Sequence, residues 1–210
     1  MSRRSIAFAC LIVVAAIFLG AMTIPQTPYA RPNPAGAVVK VTTPVGYGSG
    51  VHIGDGYIFT AAHVVNDLAK IQIKDTKGEV HEGRVLWVNH EYDVALLRID
   101  PKAALAPSPL FCGGDVAKGR TVFSEGNPRG LENITIEGRI VGASQVVGRW
   151  RSVLVAEMFG MPGISGGGAF DEAGRVVGLT VGGMGDKGNL RGFYTFIVPN
   201  SALCLLMGRA

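Results

Sequence analysis

The chain has 210 residues, with 20 basic and 16 acidic side chains and a formal net charge of +4. This length suits one ordinary domain or two small barrels that share a core. Thirty glycines and eleven prolines are too many for a mainly helical protein and are typical of short strands joined by turns. Beyond residue 30 the charges nearly balance, with no basic stripe, which argues against a nucleic-acid partner.

The first 24 residues combine a basic start with a long apolar run. Arg3 and Arg4 precede an uncharged stretch over residues 6–24. A run of about 18 or more apolar residues can span a bilayer, whereas the core of a cleaved signal is usually about 7–15 residues. We expect residues 1–24 to be a signal peptide or a retained signal-anchor, with the anchor preferred; a buried core helix is the remaining alternative. Either export interpretation predicts an extracytoplasmic protein, periplasmic or secreted, which an uncleaved segment would anchor to the inner membrane by one helix.

Residues 25–36 are rich in proline and predict a linker, and short β-prone runs follow it. The Asp55-Gly56 pair predicts a tight hairpin, and three prolines over Pro101–Pro109 exclude a regular strand there. Pro199-Asn200-Ser201 before Ala202–Met207 predicts a capped C-terminal helix. Six strands are predicted on each side of the proline-rich crossing: 37–42, 50–53, 57–60, 71–74, 80–88 and 94–99, then 120–125, 134–144, 152–156, 167–171, 176–181 and 192–197.

This pattern predicts an all-β fold of two packed six-stranded antiparallel barrels followed by a short helix. The first barrel would cover about residues 37–100, the second about 110–198 and the helix about 200–207. Of the three cysteines, Cys10 lies in the apolar run. Outside the cytoplasm Cys112 and Cys204 could pair, and two buried free thiols are the alternative.

Three segments carry residues suited to catalysis. His63 follows a predicted strand, and imidazole is the usual general base near neutral pH. Asp93 stands directly before an apolar strand, where a buried carboxylate needs a donor such as an imidazole N–H. Ser165 lies in a loop with glycines on both sides, and the N–H groups of Gly163 and Ser165 could together form an oxyanion hole. Each signal is weak alone: a packed histidine, a turn aspartate and a flexible glycine-rich loop are the competing interpretations.

Considered jointly, the three segments are specific, because histidine, aspartate and serine occur in an order known for catalytic triads. The sequence resembles the trypsin-like (chymotrypsin-like) serine proteases, and within them the HtrA/Deg group of bacterial and organellar proteases. The resemblance extends over residues 37–207. The matching stretches are Gly48-Ser49-Gly50-Val51, Tyr57–Val65, Asp93–Leu97, Gly126-Asn127-Pro128, Gly138–Val141, Pro162–Gly167 and Gly192–Ser201.

The resemblance implies that Ser165 is the nucleophile, His63 the base and Asp93 the group that orients it, with an oxyanion hole at Gly163 and Ser165. It implies a serine endopeptidase (a hydrolase) that acts on exported or misfolded protein, and it is compatible with a homo-oligomer. Ile164 stands where many relatives have Asn or Asp, so activation through an ion pair with a new N-terminus is not expected. No PDZ domain follows the protease unit in this sequence. The alternative is a protease-like binding or scaffold protein without turnover.

The resemblance also suggests which residues form the pocket for the side chain before the cut bond. We expect an apolar preference, with ordinary barrel core as the alternative interpretation of the same residues. No metal-ligand spacing is present, and we expect neither a metal nor a cofactor. The other histidines, at positions 52, 81 and 90, are interpreted as strand or surface residues. The predicted pocket residues are Phe159, Met161, Thr180, Val181 and Gly182.

Overall fold

Two closed antiparallel barrels of six strands each, followed by a helix, make up the part of the chain that the computed structural model describes, residues 36–185 and 193–208. The predicted fold class is therefore confirmed. The apolar segment 1–24, most of the linker and Gly192 lie outside the described residues. Among the described residues, no helix has both the length and the apolar character needed to cross a membrane.

Barrel 1 follows from short β-branched runs that alternate with turn residues. Asp55 and Gly56 both have positive φ, +51° and +72°, as a two-residue hairpin turn requires. A single helical turn, α1 (Ala62–Val65), follows the third strand. The strands are β1 (Val38–Thr43), β2 (Gly46–Gly54), β3 (Tyr57–Ala61), β4 (Lys70–Lys74), β5 (Val80–Asn89) and β6 (Val94–Arg98), paired in the order β1-β2-β3-β6-β5-β4 and closed by β4 on β1.

Barrel 2 contains the longest hairpin of the described chain. Its first strand runs to Val147, which pairs with Trp150 across the turn Gly148-Arg149. The sequence predicted strands over 134–144 and 152–156, which stop short of the turn because residues 144–146 are exposed and lack an apolar alternation. The strands are β7 (Thr121–Gly126), β8 (Ile134–Val147), β9 (Trp150–Glu157), β10 (Gly168–Phe170), β11 (Val176–Met184) and β12 (Tyr194–Pro199), in the order β10-β11-β12-β9-β8-β7 and closed by β7 on β10.

The main hydrophobic core is shared by the two barrels. Phe59 and Leu97 of barrel 1 and Val181 and Phe196 of barrel 2 belong to one cluster of buried side chains. Burial of this apolar surface is the main force that holds the barrels together. The interface between the two barrels is called the seam. Side chains that project into the seam from either barrel therefore have fixed neighbours.

The crossing between the barrels packs on both of them. Its Ser108 N–H donates to the carbonyl of His52, and the Phe111 N–H that follows donates to the carbonyl of Val176 at 2.9 Å. His52 itself is a buried residue of β2 rather than a surface residue. Its Nδ1 lies 3.2 Å from the Ala106 carbonyl, and its Nε2 accepts from the Gly56 N–H. Burial lowers the pKa of His52, which favours the neutral ring that this bonding needs.

The C-terminal helix, α2 (Asn200–Leu206), is fixed to this crossing. Cys112 and Cys204 form a disulfide, with Cα atoms 5.9 Å apart, so the pairing that the sequence left open is made. A cap from the helix's own flanking residues was predicted, and that prediction is wrong. The N-cap Pro199 offers no side-chain bond, and the Ser201 N–H donates instead to Asp115 Oδ1 at 3.1 Å.

Removal of the disulfide should lower stability substantially. The two cysteines are 92 residues apart in sequence, so the bridge closes a long loop in the unfolded chain. We expect Cys112→Ser to reduce the free energy of unfolding by about 2–4 kcal/mol, measured by urea denaturation. Reduced wild-type protein should have the same free energy of unfolding as this variant, and Cys10→Ser should leave the wild-type value unchanged. Equal stability of the wild-type protein with and without reductant would contradict the Cys112–Cys204 disulfide.

Candidate active site

His63 lies at the seam because β3 ends immediately before it. Ala61 and Ala62 are fully buried, and their small side chains allow the chain to turn tightly into α1. The side chain of His63 remains about one-third exposed, at 32%. The imidazole is thus held by a buried turn while one edge stays open to solvent.

Asp93 is brought beside His63 by the pairing of β3 with β6, in which Ala61 lies opposite Val94. Asp93 Oδ1 accepts from the backbone N–H of His63 at 2.9 Å, and Oδ2 lies 2.8 Å from His63 Nδ1. An ionised carboxylate can only accept, so Nδ1 carries the proton. In the neutral ring this leaves Nε2 free to accept a proton.

Two residues of barrel 2 also donate to this carboxylate. Trp150 Nε1 lies 3.0 Å and Arg149 Nη2 3.2 Å from Asp93 Oδ2. The sequence analysis did not single out either residue. They lie more than fifty positions from Asp93, in a hairpin tip without any local motif, so no sequence signal was available for this contact.

The ionisation of Asp93 is decided by opposing influences. Burial is the largest of them and would raise the pKa, since a charge loses solvation in the interior. Hydrogen bonds from His63 and Trp150, with the attraction of His63, outweigh burial and lower the pKa of Asp93. The side chain is 5% exposed and remains a carboxylate at neutral pH.

The loop that carries Ser165 is bonded to both barrels. The Ser49 N–H of barrel 1 donates to the Ser165 carbonyl at 2.8 Å, and Ser49 Oγ donates to the Gly163 carbonyl at 2.7 Å. On the other side, the Gly166 N–H donates to the Thr180 carbonyl at 2.7 Å. Gly166 has φ +85°, and an added Cβ would lie 2.1 Å from the Ser49 carbonyl oxygen, so only glycine fits there.

The Gly163 amide is oriented by its neighbours. The Pro162 carbonyl accepts from the Arg129 N–H at 2.9 Å. Because C=O and N–H of a trans peptide point in opposite directions, the Gly163 N–H points away from Arg129. Within residues 36–185 and 193–208, neither the Gly163 nor the Ser165 N–H donates to a protein acceptor. Both amides are therefore available to a ligand.

A cavity of about 260 Å³ joins these groups, with His63, Gly163 and Ser165 in its wall. Tyr47 and Val64 contribute further lining. No hydrogen bond joins the His63 and Ser165 side chains in the described part of the chain. Such bonds are often long in ligand-free proteins and tighten when substrate binds.

A second cavity, of about 240 Å³, also has Ser165 in its wall. Of the five predicted pocket residues, Met161 and Gly182 line it, and the unpredicted Phe193 does so as well. Phe159 packs edge-on against Phe193, with ring centroids 4.8 Å apart. The structure places Thr180 and Val181 in the interior instead, where both are fully buried. The described lining contains no carboxylate.

The fold and the site together define a two-barrel protein with histidine, aspartate and serine side chains gathered at the barrel seam. Residues 48–179 match the family model described as the trypsin-like peptidase domain, and the chain belongs to that family. The resemblance stated from the sequence is therefore confirmed.

Curated relatives belong to the HtrA/Deg proteases. The chain is 33% identical over 144 residues to "Protease Do-like 1, chloroplastic" of Arabidopsis thaliana, a match covering 65% of this chain and 33% of that protein. It is 39% identical over 103 residues to "Serine protease HTRA2, mitochondrial" of Bos taurus, covering 49% and 22%. The chain thus spans between about a fifth and a third of these relatives' length.

Solved structures share the fold. The serine endoprotease from Yersinia pestis superposes with a TM-score of 0.72 at 26% identity, covering 83% of this chain and 62% of that one. The Rv3671c protease in an inactive form gives a TM-score of 0.70 at 24% identity, covering 87% and 98%. Because its sequence identity is only 24%, the second match is evidence for a shared fold and not for a shared function.

Proposed function

We propose that this chain is a serine endopeptidase that cleaves peptide bonds through an acyl-enzyme. One observation carries the proposal: Asp93 holds the Nδ1 side of His63, and the ring lines the same cavity as Ser165. A serine hydroxyl is a poor nucleophile until a positioned base takes its proton. His63 is the base in this proposal, Asp93 fixes its tautomer, and Ser165 attacks.

The geometry supports each step of acyl transfer. His63 Nε2 takes the Ser165 hydroxyl proton as Oγ attacks the substrate carbonyl. The amides of Gly163 and Ser165 stabilise the resulting oxyanion. His63 then returns the proton to the leaving amine, and water releases the acyl group by the same route in reverse. An ionised Asp93 stabilises the imidazolium at both stages.

The proposed substrates are exported or misfolded proteins and their peptides. The curated relatives are named as proteases, and Ser165 lines two separate cavities, which supports the binding of substrate residues next to it. We propose an apolar pocket for the residue before the cut bond, formed by Met161 and Gly182 of the predicted residues together with Phe193, against which Phe159 packs. Its main support is the second cavity, where Met161 and Phe193 supply apolar surface. Assembly into a homo-oligomer is compatible with this proposal.

The proposed location is extracytoplasmic, either periplasmic or secreted. Residues 1–24 serve in this proposal as a signal peptide or a signal-anchor that holds the protein at the inner membrane. The Cys112–Cys204 disulfide supports an oxidising compartment.

A fluorophosphonate probe tests the nucleophile directly. The 210-residue chain should be labelled, and Ser165→Ala should abolish labelling because the phosphonylated oxygen is gone. His63→Ala should lower the labelling rate and peptide hydrolysis by about 10³-fold or more, since triad members act as a unit. Ser201→Ala, on α2, is the matched control and should label normally. A folded protein that does not label would instead favour the binding or scaffold alternative.

Specificity is tested with a peptide library. Cleavage should follow medium-sized apolar residues, because the lining of the second cavity is apolar and lacks a carboxylate among the described residues. Met161→Ala should enlarge the cavity and raise cleavage after larger apolar residues relative to smaller ones. A strong preference for Lys or Arg would refute the apolar pocket.

The N-terminal proposal is tested by the mass of the mature chain and by membrane fractionation. An intact mass with the protein in the membrane fraction indicates the anchor, and a mass lacking the first 20–30 residues indicates a cleaved signal. Intact protein found only in the cytoplasm would contradict export.

A further inference from the structure

The tip of the β8–β9 hairpin lies against the Asp93 carboxylate. The turn contains Gly148, with φ +54°, and Arg149, and Trp150 begins β9. The indole Nε1–H and the Arg149 guanidinium both donate to Asp93 Oδ2, the oxygen that also receives the Nδ1–H of His63. One carboxylate oxygen thus has three donors, of which two come from the opposite barrel.

Trp150 is held in place by its own barrel. Its ring lies 5.2 Å from that of Phe196. It also lies over Gly182, where an added Cβ would come within 2.7 Å of the indole. Because packing fixes the ring, the Nε1–H has a fixed position between the barrels. The Asp93 carboxylate must be oriented so that Oδ2 can accept from it.

Next to its turn, the hairpin is also bonded to the segment just before Asp93. The Arg151 N–H donates to the Glu91 carbonyl at 2.9 Å, and the two side chains form an ion pair at 2.8 Å. That ion pair is more than 60% exposed, so it contributes little. Of these two contacts, the backbone bond therefore contributes more to holding the hairpin tip beside Asp93.

The two donors to Asp93 differ in strength. Both reach the same 5%-exposed carboxylate, but Arg149 is 59% exposed and its charge is screened by water, whereas the Trp150 ring is packed against Phe196 and Gly182. Hydrogen bonds to charged groups are strongest where solvent is excluded. Trp150 is thus the main partner and Arg149 a weaker one.

We propose that Trp150 and Arg149 are positioning residues for the peptidase reaction: they fix the orientation of the Asp93 carboxylate, which in turn orients His63. This inference rests on the proposed function. Without these donors, Oδ2 keeps only the imidazole as a partner, and the bond from the His63 backbone N–H to Oδ1 is the other remaining restraint on the carboxylate, so its orientation is less tightly fixed. Loss of donors also increases the proton affinity of the coupled Asp93–His63 pair, because donors stabilise the unprotonated state.

The decisive variant is Trp150→Phe, which keeps an aromatic ring on Phe196 and removes the N–H. We expect kcat/KM to fall about tenfold, mostly in kcat, and the acid limb of its pH profile to move to higher pH. Arg149→Met should show a smaller loss that shrinks further at high salt. The matched control is Trp87→Phe in barrel 1, whose ring packs edge-on against Phe59. That variant should leave both the rate and the acid limb unchanged.

A double-mutant comparison separates positioning from a structural role. In an Asp93→Ala background there is no carboxylate to orient, so adding Trp150→Phe should cost nothing more in the rate of phosphonate labelling. The same loss in both backgrounds, or an unmoved acid limb, would overturn the proposal.

A readout without turnover separates this inference from the proposed function. The proton on His63 Nδ1 can be followed by NMR at a fixed pH, and its resonance should shift in Trp150→Phe and not in Trp87→Phe, because it reports the hydrogen bond to Asp93 Oδ2. If the wild-type chain labels and cleaves but this resonance is the same in Trp150→Phe, the positioning role is wrong. If the resonance shifts in a chain that neither labels nor cleaves, the contact is real and the peptidase proposal fails.

Discussion

The hydrogen bond between Asp93 Oδ2 and His63 Nδ1 is the contact on which the rest of the site depends. A carboxylate that is 5% exposed would be costly if it were unpaired, so burial and pairing must occur together. Its donors are His63 from barrel 1 and the β8–β9 hairpin from barrel 2. Full stabilisation of the charge that the proposed chemistry needs therefore requires the two barrels to be packed against each other.

The same dependence on both barrels applies to the proposed nucleophile. Ser165 is part of a barrel 2 loop, yet its backbone is bonded to Ser49 of barrel 1. The shared apolar core holds the two barrels at a fixed distance. Hydrogen bonds between the barrels then fix the positions of the side chains at their interface. Glycines at 163 and 166 allow the close backbone approach that this arrangement needs.

The sequence predicted the features that depend on local patterns of residues. Short β-branched runs and the Asp55-Gly56 turn indicated the strands, and three local motifs indicated His63, Asp93 and Ser165 as candidates. Prediction failed for features that depend on contacts between residues far apart in the sequence. The β8–β9 hairpin extends over exposed residues that show no alternation, α2 is capped by Asp115 from the crossing, and Trp150 meets Asp93 across 57 positions. A single sequence contains no local signal for such pairs.

The most direct measurement is a crystal structure of the protein after reaction with a fluorophosphonate. The account predicts phosphorus bonded to Ser165 Oγ and one phosphoryl oxygen about 2.7–3.1 Å from the amides of Gly163 and Ser165. It also predicts that His63 Nε2 lies within hydrogen-bonding reach of the adduct and that Nδ1 remains on Asp93. An adduct on another residue, or an imidazole turned away from position 165, would contradict it.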